Sequence, residues 1–393
     1  MDPLIKGNIL LYLQDIAKKD EIEFYVISYE QSKFKLSSAD YKYQLEKFHD
    51  IGIFWFKLKF TNGKIIAKVY DFMKSIPLIL FFRLFKGCKS IISLGSVSGA
   101  IAYLFSKVFK LNLFLYQYEP HSEYALDGEI WKKNSFSFKI MNELEYQSAQ
   151  KAKVISTGTR HMIERLIKWK SPARIYKIPS VVDENSFYFQ HEQRKIIRKE
   201  LHLSENSHLI IYPGKFGDLY YSKEIGNLFK IINDRIDNCF FLVLTLTDIE
   251  LAENILSEIG LPQDKYMVTS TPYNKMPNYL SAADLGIVGY PPLPSKKFCS
   301  SIKVGEFLCT GLPYLICKGI SEDDEFALQN NVGIVVEDFN EKSILNQIDN
   351  IKTYLTEDVL DRFDRYRELG IQYRGFINLN RQFHKAIKTL VSN

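Results

Sequence analysis

Short apolar runs alternate with longer amphipathic stretches along almost the whole chain. Apolar runs bounded by turn residues predict strands at Phe24–Ser28, Ile53–Leu58, Ser90–Leu94, Leu113–Tyr118, Val154–Ser156 and Ile175–Ile178 in the first half. In the second half the same pattern predicts strands at Leu209–Tyr212, Phe240–Leu244, Tyr266–Val268, Leu285–Val288, Tyr314–Cys317 and Gly333–Val336. Helical periodicity fills the intervals, as at Ser98–Phe109 and Phe138–Gln150. Continuously apolar strands separated by helices mean parallel sheets covered on both faces. Two such sets mean an α/β protein of two doubly wound, Rossmann-like domains. The boundary is expected near residue 183, where the charged stretch Asp183–Glu205 follows the strand ending at Ile178-Pro179. The chain opens on a helix, Ile5–Ala17, where a doubly wound domain ordinarily opens on a central strand and a Gly-rich turn. Either the first domain lacks that strand or the start site is set too late; the gap leaves backbone groups unpaired, so another segment is expected to fill it or the region to pack loosely.

The length of 393 residues supports the two-domain reading, and a composition of 46% hydrophobic and 25% charged residues is that of a folded globular protein. A net charge of +5 without a dense Lys/Arg stripe does not point to nucleic acid. It is compatible with an anionic membrane surface or a diphosphate. The cysteines (Cys88, Cys239, Cys299, Cys309, Cys317) form no CxxC pair and no zinc-type cluster. They read as reduced core residues, and with no basic segment at Met1-Asp-Pro-Leu this suggests the cytoplasm. The longest apolar run, Ile76–Phe85, contains Pro77 and Arg83 and is too short to span a bilayer. It is either a buried helix or an amphipathic surface that docks on lipid.

Chemistry concentrates at Lys303-Val-Gly-Glu-Phe-Leu-Cys-Thr-Gly-Leu-Pro313, which reads as a short helix, a Gly-Leu-Pro turn and the strand Tyr314–Cys317. Its N-terminus follows Ser300-Ser301. Unpaired N–H groups and a partial positive charge there suit a phosphate. Glu306, one turn in and on the same face as Lys303, is placed to accept hydrogen bonds from ribose hydroxyls. Phosphate with ribose means a nucleotide; the alternative is a surface ion pair worth about 0.3 kcal/mol.

This segment resembles the nucleotide-sugar site of family 4 glycosyltransferases, which have the GT-B fold. The match is Glu306 followed by Cys309-Thr310-Gly311-Leu312-Pro313. Three more stretches fall in the family's order: Tyr212-Pro-Gly-Lys215 with Lys223, like its phosphate clamp; Ile178-Pro-Ser-Val-Val-Asp183 with Phe187, like its interdomain stretch; and Tyr279-Leu-Ser-Ala-Ala-Asp284. The family's second Glu is replaced by Phe298, as in a subgroup that Ser301-Ile-Lys303-Val-Gly-Glu306 fits, and Ser180-Val181 stand for the usual Asn-Gly. The resemblance implies an acceptor domain over 1–183, a nucleotide-sugar domain over 184–370, and a last segment, 371–393, whose helix Leu379–Val391 returns to the first domain.

Ligands of open α/β sheets bind at the carboxyl ends of strands. Gly214 and Gly217 permit a tight turn after Leu209–Tyr212, and Lys215 and Lys223 around it suit a departing diphosphate. Ser300, Ser301 and Ile302 offer backbone N–H groups to the same diphosphate, Lys303 touches phosphate or only pairs with Glu306, and Tyr273 packs on the base or in the core. His121 follows a first-domain strand through Glu119-Pro120; the resemblance gives a His near this place a donor-sugar contact, which makes it, with Lys215 and Lys223, a catalytic candidate. Gly95, in Gly95-Ser-Val-Ser-Gly99, Glu119 and Arg160 are further candidates for sugar, acceptor or phosphate. Glu145, mid-helix, reads as solvated and structural. Together these imply a retaining glycosyltransferase moving a sugar from a nucleotide-diphosphate donor to a glycan or lipid-linked acceptor in surface polysaccharide synthesis, with no cofactor and, in the absence of an Asp-x-Asp motif, no metal. It would work in the cytoplasm or at the inner membrane face. A catalytically silent nucleotide-sugar-binding protein and a sugar-nucleotide epimerase of the same fold are the alternatives.

Overall fold

Each apolar run forms a strand, and every strand pairing is parallel, in a computed structural model that describes residues 9–20, 22–30, 35–61, 65–117, 119–246 and 249–392. The first half contains α1 (Leu10–Asp20), β1 (Phe24–Glu30), α2 (Ser38–His49), β2 (Ile53–Lys59), α3 (Ile65–Phe85), β3 (Ser90–Leu94), α4 (Ser96–Val108), β4 (Asn112–Gln117), α5 (His121–Asp127), α6 (Phe136–Lys151), β5 (Val154–Thr157), α7 (Arg160–Lys168) and β6 (Arg174–Lys177). The expected helix start at Ile5 and the strand end at Tyr118 lie outside the described residues. The second half contains α8 (His191–Glu200), β7 (His208–Tyr212), α9 (Lys223–Asn233), β8 (Cys239–Leu244), α10 (Ile249–Glu258), β9 (Tyr266–Thr269), α11 (Met276–Ala282), β10 (Leu285–Val288), α12 (Ile302–Cys309), β11 (Tyr314–Cys317), α13 (Asp323–Asn330), β12 (Gly333–Val336), α14 (Glu341–Leu345), α15 (Ile348–Thr356), α16 (Val359–Arg374) and α17 (Phe376–Val391).

The second domain has one continuous sheet of order β12-β11-β10-β7-β8-β9. The chain runs outward from β7 through β8 to β9, then returns to the other side of β7 and runs outward again from β10. The order reverses between β7 and β10, and the crevice at their carboxyl ends is where such sheets bind ligands. Every residue of β10 and β11 is buried, as parallel strands covered on both faces require.

The first domain is split. β1 and β2 pair only with each other, while β3-β4-β5-β6 form a separate four-stranded sheet. The β1 edge and the β3 edge have no strand partner among the described residues. Between them lies an apolar cavity of about 550 Å³, lined by Phe24 and Val26 from β1, Ile92 and Leu94 from β3, Leu13 from α1 and Phe82 from α3. Among the described residues no strand stands between β1 and β3, and the region packs loosely around that space.

Helix α17 leaves α16 at Gly375 and lies on the first domain. Phe383 stacks on Tyr12 of α1 with ring centroids 4.5 Å apart, and Phe383, Ile387 and Leu390 join a cluster with Phe114 and Val154. Asn112 Nδ2 donates to the Leu390 carbonyl at 3.1 Å. The crossing is pinned where Val182 N donates to the Arg374 carbonyl (2.9 Å) and Phe376 N to the Val182 carbonyl (3.0 Å). Arg374 and Asp323, both fully buried, form an ion pair beside it.

Candidate functional site

After β7 the chain turns through Pro213-Gly214-Lys215. A Cβ on Gly214 would stand 2.5 Å from the Tyr212 ring, so only glycine lets that ring fold under the loop. The Tyr212 hydroxyl donates to the Lys215 carbonyl and fixes the turn. Gly217 has φ +81°, which favours glycine again. The loop is tied to the end of β10 where Tyr221 N donates to the Gly289 carbonyl at 3.0 Å. Lys215 in the turn and Lys223 at the start of α9 are both exposed, and neither forms an ion pair among the described residues. Two unmatched cations thus stand at the carboxyl end of β7, at the switch point.

Helix α12 follows β10 on the other side of the crevice. Ser301 caps it without a side-chain hydrogen bond. Glu306 is completely buried; its Oε2 accepts from Lys303 Nζ at 2.9 Å, the Tyr273 hydroxyl lies against the same carboxylate, and its Oε1 makes no well-formed hydrogen bond among the described residues. Tyr273 is the neighbour whose hydroxyl pKa is pushed up, first by burial and then by the Glu306 carboxylate. A buried carboxylate oxygen left unpaired costs about 1–3 kcal/mol or more, so it is a place where a ligand hydroxyl would be welcome. Lys303 is committed to Glu306. The Ser300 side chain is likewise committed: its Oγ accepts from Ser180 N at 2.9 Å and from Arg374, and its carbonyl accepts from Ser180 Oγ at 2.6 Å. Gly158 must be glycine because a Cβ there would lie 2.6 Å from Ser300 Cβ. Ser300 is therefore a joint between the two domains, and what it can offer a ligand is its backbone.

The opposing wall comes from the first domain. Gly95, with φ +81°, opens α4 and donates its N–H to the Tyr116 carbonyl at 2.8 Å. Ser96 Oγ donates to the Glu119 carbonyl (3.2 Å) and accepts from His121 N (3.4 Å), which draws Gly95, Glu119 and His121 together. His121 starts α5 and packs against Tyr124 and Trp131; burial lowers its pKa, so the ring is neutral at neutral pH. Glu145 is not solvated. It is 3% exposed and accepts from Ser122 N at 3.1 Å and Ser122 Oγ at 2.6 Å, anchoring the turn that carries His121. Burial raises its pKa. It falls on the same helical stripe as Met141, Ser148 and Ala149, which are buried, and that spacing was the available signal.

Lys296 is the residue that sequence reasoning missed. It is 2% exposed, lies 5.1 Å from the Tyr124 ring centroid and 5.5 Å from that of Tyr290, and pairs with Glu119 across the domain boundary at 3.3 Å. Glu119 nonetheless has its pKa raised, because desolvation outweighs the pull of Lys296. Beside it Ser295 N donates to Asp127 Oδ2 at 2.6 Å. Arg160, a candidate from the sequence, straps the two domains: its guanidinium is ion-paired with Glu325 at 2.8 Å, Glu164 at 3.5 Å and Glu322 at 3.9 Å. Phe298 is 5% exposed and packs with Met162 and Leu166 of α7, so the position of the family's second Glu is here an apolar contact between domains.

No protein-family model matches the sequence, and no curated protein resembles it closely enough to count as a relative. Solved structures do. Sucrose-phosphate synthase from Thermosynechococcus elongatus superposes with a TM-score of 0.68 at 14% identity over 94% of this chain and 98% of that one. HepE from Anabaena, in complex with UDP-glucose, gives 0.67 at 13% identity over 98% and 96%. WaaG, a glycosyltransferase involved in lipopolysaccharide biosynthesis, gives 0.59 at 14% over 95% and 100%. The chain has the GT-B glycosyltransferase fold, with two Rossmann-like domains.

Proposed function

We propose that the protein is a retaining glycosyltransferase that takes a sugar from a nucleoside-diphosphate donor. The observation that carries this reading is the fully buried carboxylate of Glu306 beside Tyr273, whose Oε1 makes no well-formed hydrogen bond among the described residues, one turn inside helix α12 at the β7/β10 switch point. A ribose hydroxyl would satisfy that oxygen, and the diphosphate would then lie over the backbone N–H groups of Ser300, Ser301 and Ile302. Gly214 keeps the β7 loop close, and Lys215 and Lys223 face the phosphates. HepE, a GT-B protein seen with UDP-glucose, supports this class of donor.

In the reaction the acceptor hydroxyl oxygen attacks the anomeric carbon on the face from which the diphosphate leaves. The bond from carbon to the phosphate oxygen breaks, the bond to the acceptor oxygen forms, and the acceptor proton passes to the departing phosphate. Lys215, Lys223 and the N-terminus of α12 meet the developing negative charge. His121, neutral and held by the Ser96 and Glu145 contacts, donates a hydrogen bond to the donor sugar. With Phe298 in place of a carboxylate, Glu119 and Lys296 are the charged groups left on that side of the cleft. The first domain takes the acceptor, a glycan or lipid-linked glycan of surface polysaccharide synthesis at the cytoplasmic face of the membrane; the fold shared with WaaG favours such an acceptor.

The test is a thermal-shift panel of UDP, GDP, ADP and TDP, since a ligand that binds only the folded state raises its apparent stability. One diphosphate should raise the melting temperature, and Glu306→Ala should remove that rise. Well-folded protein that responds to none of the four would overturn the donor site. Binding without release of free diphosphate from any donor and acceptor would leave a silent nucleotide-sugar binder instead.

A further inference from the structure

Helix α3 has one face packed and one face without a partner among the described residues. On the packed face Phe72 stacks on Phe105 of α4 at 4.6 Å, and Phe82 meets Tyr25 and Phe56 at 4.8 and 5.1 Å. Arg83 also turns inward, donating Nε to the Phe109 carbonyl just past α4 at 3.3 Å. The outward face carries Val69, Tyr70, Met73, Leu80, Leu84 and Phe85, each 40% to 74% exposed. Their spacing of three and four residues sets them in one stripe along a helix about 31 Å long. Val97, Leu104 and Val108 extend the apolar surface onto α4. Stripes of this length on a protein surface mark an interaction site.

The charges around the stripe decide what fits it. Lys86 and Lys89 follow the end of α3, Lys107 and Lys110 stand at the end of α4, and all four are exposed. The Arg83 contact holds those two ends together, so the cations gather at one end of the stripe. The single acid of α3, Asp71, is 3% exposed and paired with Lys74 at 2.6 Å, and α4 has no acid. Glu23, near the cationic end, accepts from the Tyr25 hydroxyl at 2.5 Å.

We propose that the outward face of α3, with the exposed edge of α4, docks on a bilayer that contains anionic lipid. The apolar side chains enter the boundary between headgroups and acyl chains, and the lysines meet lipid phosphates. No helix among the described residues is long and apolar enough to cross a membrane, so α3 lies on the surface. A second copy of this chain is the competing occupant. Across a two-fold axis the patch would meet itself, and α3 and α4 bring no unpaired carboxylate to face its lysines. A bilayer has the complementary charge.

The inference does not depend on the donor site, and nucleotide binding reads out that site separately. The full chain is floated with vesicles of phosphatidylcholine alone and of phosphatidylcholine with phosphatidylglycerol. It should rise with the anionic vesicles, less so as salt is raised. The double variant Leu84→Glu/Phe85→Glu should cut the bound fraction about ten-fold or more while keeping the nucleotide-induced thermal shift. Should that variant fail to fold, Lys107→Glu/Lys110→Glu leaves the apolar face intact and should weaken binding to anionic vesicles alone. Failure to float with either vesicle overturns the proposal. So does a concentration-dependent dimer in light scattering that Leu84→Glu/Phe85→Glu splits, which would assign the face to a second copy.

Discussion

The two domains use the same building plan and reach different degrees of completion. In the second, six strands form one sheet, β10 and β11 are buried residue by residue, and the reversal of strand order makes a crevice where Gly214 leaves room for the Tyr212 ring. In the first, every residue of β1 is only half-buried, two sheet edges have no strand partner among the described residues, and about 550 Å³ stands open between them. Order is therefore concentrated where the nucleotide is proposed to bind, and slack lies behind the first-domain wall. The difference teaches that the two parts of a split doubly wound domain can be held together by helices that bridge them. Here α1 and α17 do so, through Tyr12 and Phe383.

Truncation of the two cores should show this most strongly. Phe307 is fully buried and its ring lies 2.8 Å from where a Cβ on Gly286 would be. Phe307→Ala should cost about 3–5 kcal/mol, because so tight a site cannot collapse. Phe24→Ala, at the wall of an existing cavity, should cost about 1–2 kcal/mol, since less contact is lost. Urea unfolding followed by fluorescence measures both. Equal losses would mean that the cavity closes in solution and that the two cores are alike.

The division of labour gives the next effect. Removing the carboxylate in Glu306→Ala should weaken nucleoside-diphosphate binding by about 1.5–3 kcal/mol, the usual worth of hydrogen bonds to a charged group. His121→Ala should leave that affinity unchanged and lower turnover, because His121 stands on the first-domain wall. Calorimetric titration with the diphosphate found in the thermal-shift panel, together with initial rates, separates the two. A loss of diphosphate affinity in His121→Ala would place the imidazole at the phosphates and break the assignment of nucleotide to one domain and sugar to the other.

Filling the gap should have opposite signs in the two sheets. Ile92→Phe pushes a larger side chain into the first-domain cavity and should gain about 1 kcal/mol. Ile316→Phe, in the fully buried β11, should lose about 1–3 kcal/mol by overpacking. Denaturation midpoints decide, and a loss at Ile92 would show that its side chain is already well packed against the cavity wall.

How much of this could be read from the residues depends on the range of the interactions involved. The strands were legible because each is a local apolar run between turn signals, and Leu285–Val288, Tyr314–Cys317 and Gly333–Val336 stand at the predicted positions. The Glu306 segment was legible because helix, stop signal and strand follow one another without a break. Lys296 was not, since its setting between Tyr124 and Tyr290 and against Glu119 is made by three separate parts of the chain. The ion pairs of Arg160 were not legible for the same reason: the carboxylates of Glu322 and Glu325 that meet it come from the other domain. The outward face of α3 was half legible. The sequence offered a run at Ile76–Phe85 and left its exposure open, and the packing of Phe72 and Phe82 on one side leaves Leu80, Leu84 and Phe85 on the other.

The smallest effect is one of rate, and it probes the same contrast without changing a side chain. Cys309 and Cys317 are completely buried in the second domain, and desolvation pushes both thiols up to about 12. Cys239, buried in the same domain, is also pushed up to about 12. Cys88 lines the first-domain cavity, half-buried, and its thiol is raised by burial first and the Glu23 carboxylate second. Thiolate is the reactive species, so each thiol is protected both by its pKa and by how often its surroundings open. With a thiol reagent at pH 8 on the native protein, Cys88 should be labelled first, and its rate should climb as the pH is raised to 9. Cys309 and Cys317 should stay unlabelled until the second domain unfolds. Peptide mapping of the modified protein assigns the order. Labelling of Cys309 or Cys317 at a rate near that of Cys88 would mean that the continuous sheet opens as readily as the split one, and the contrast between the two domains would then be one of shape and not of stability.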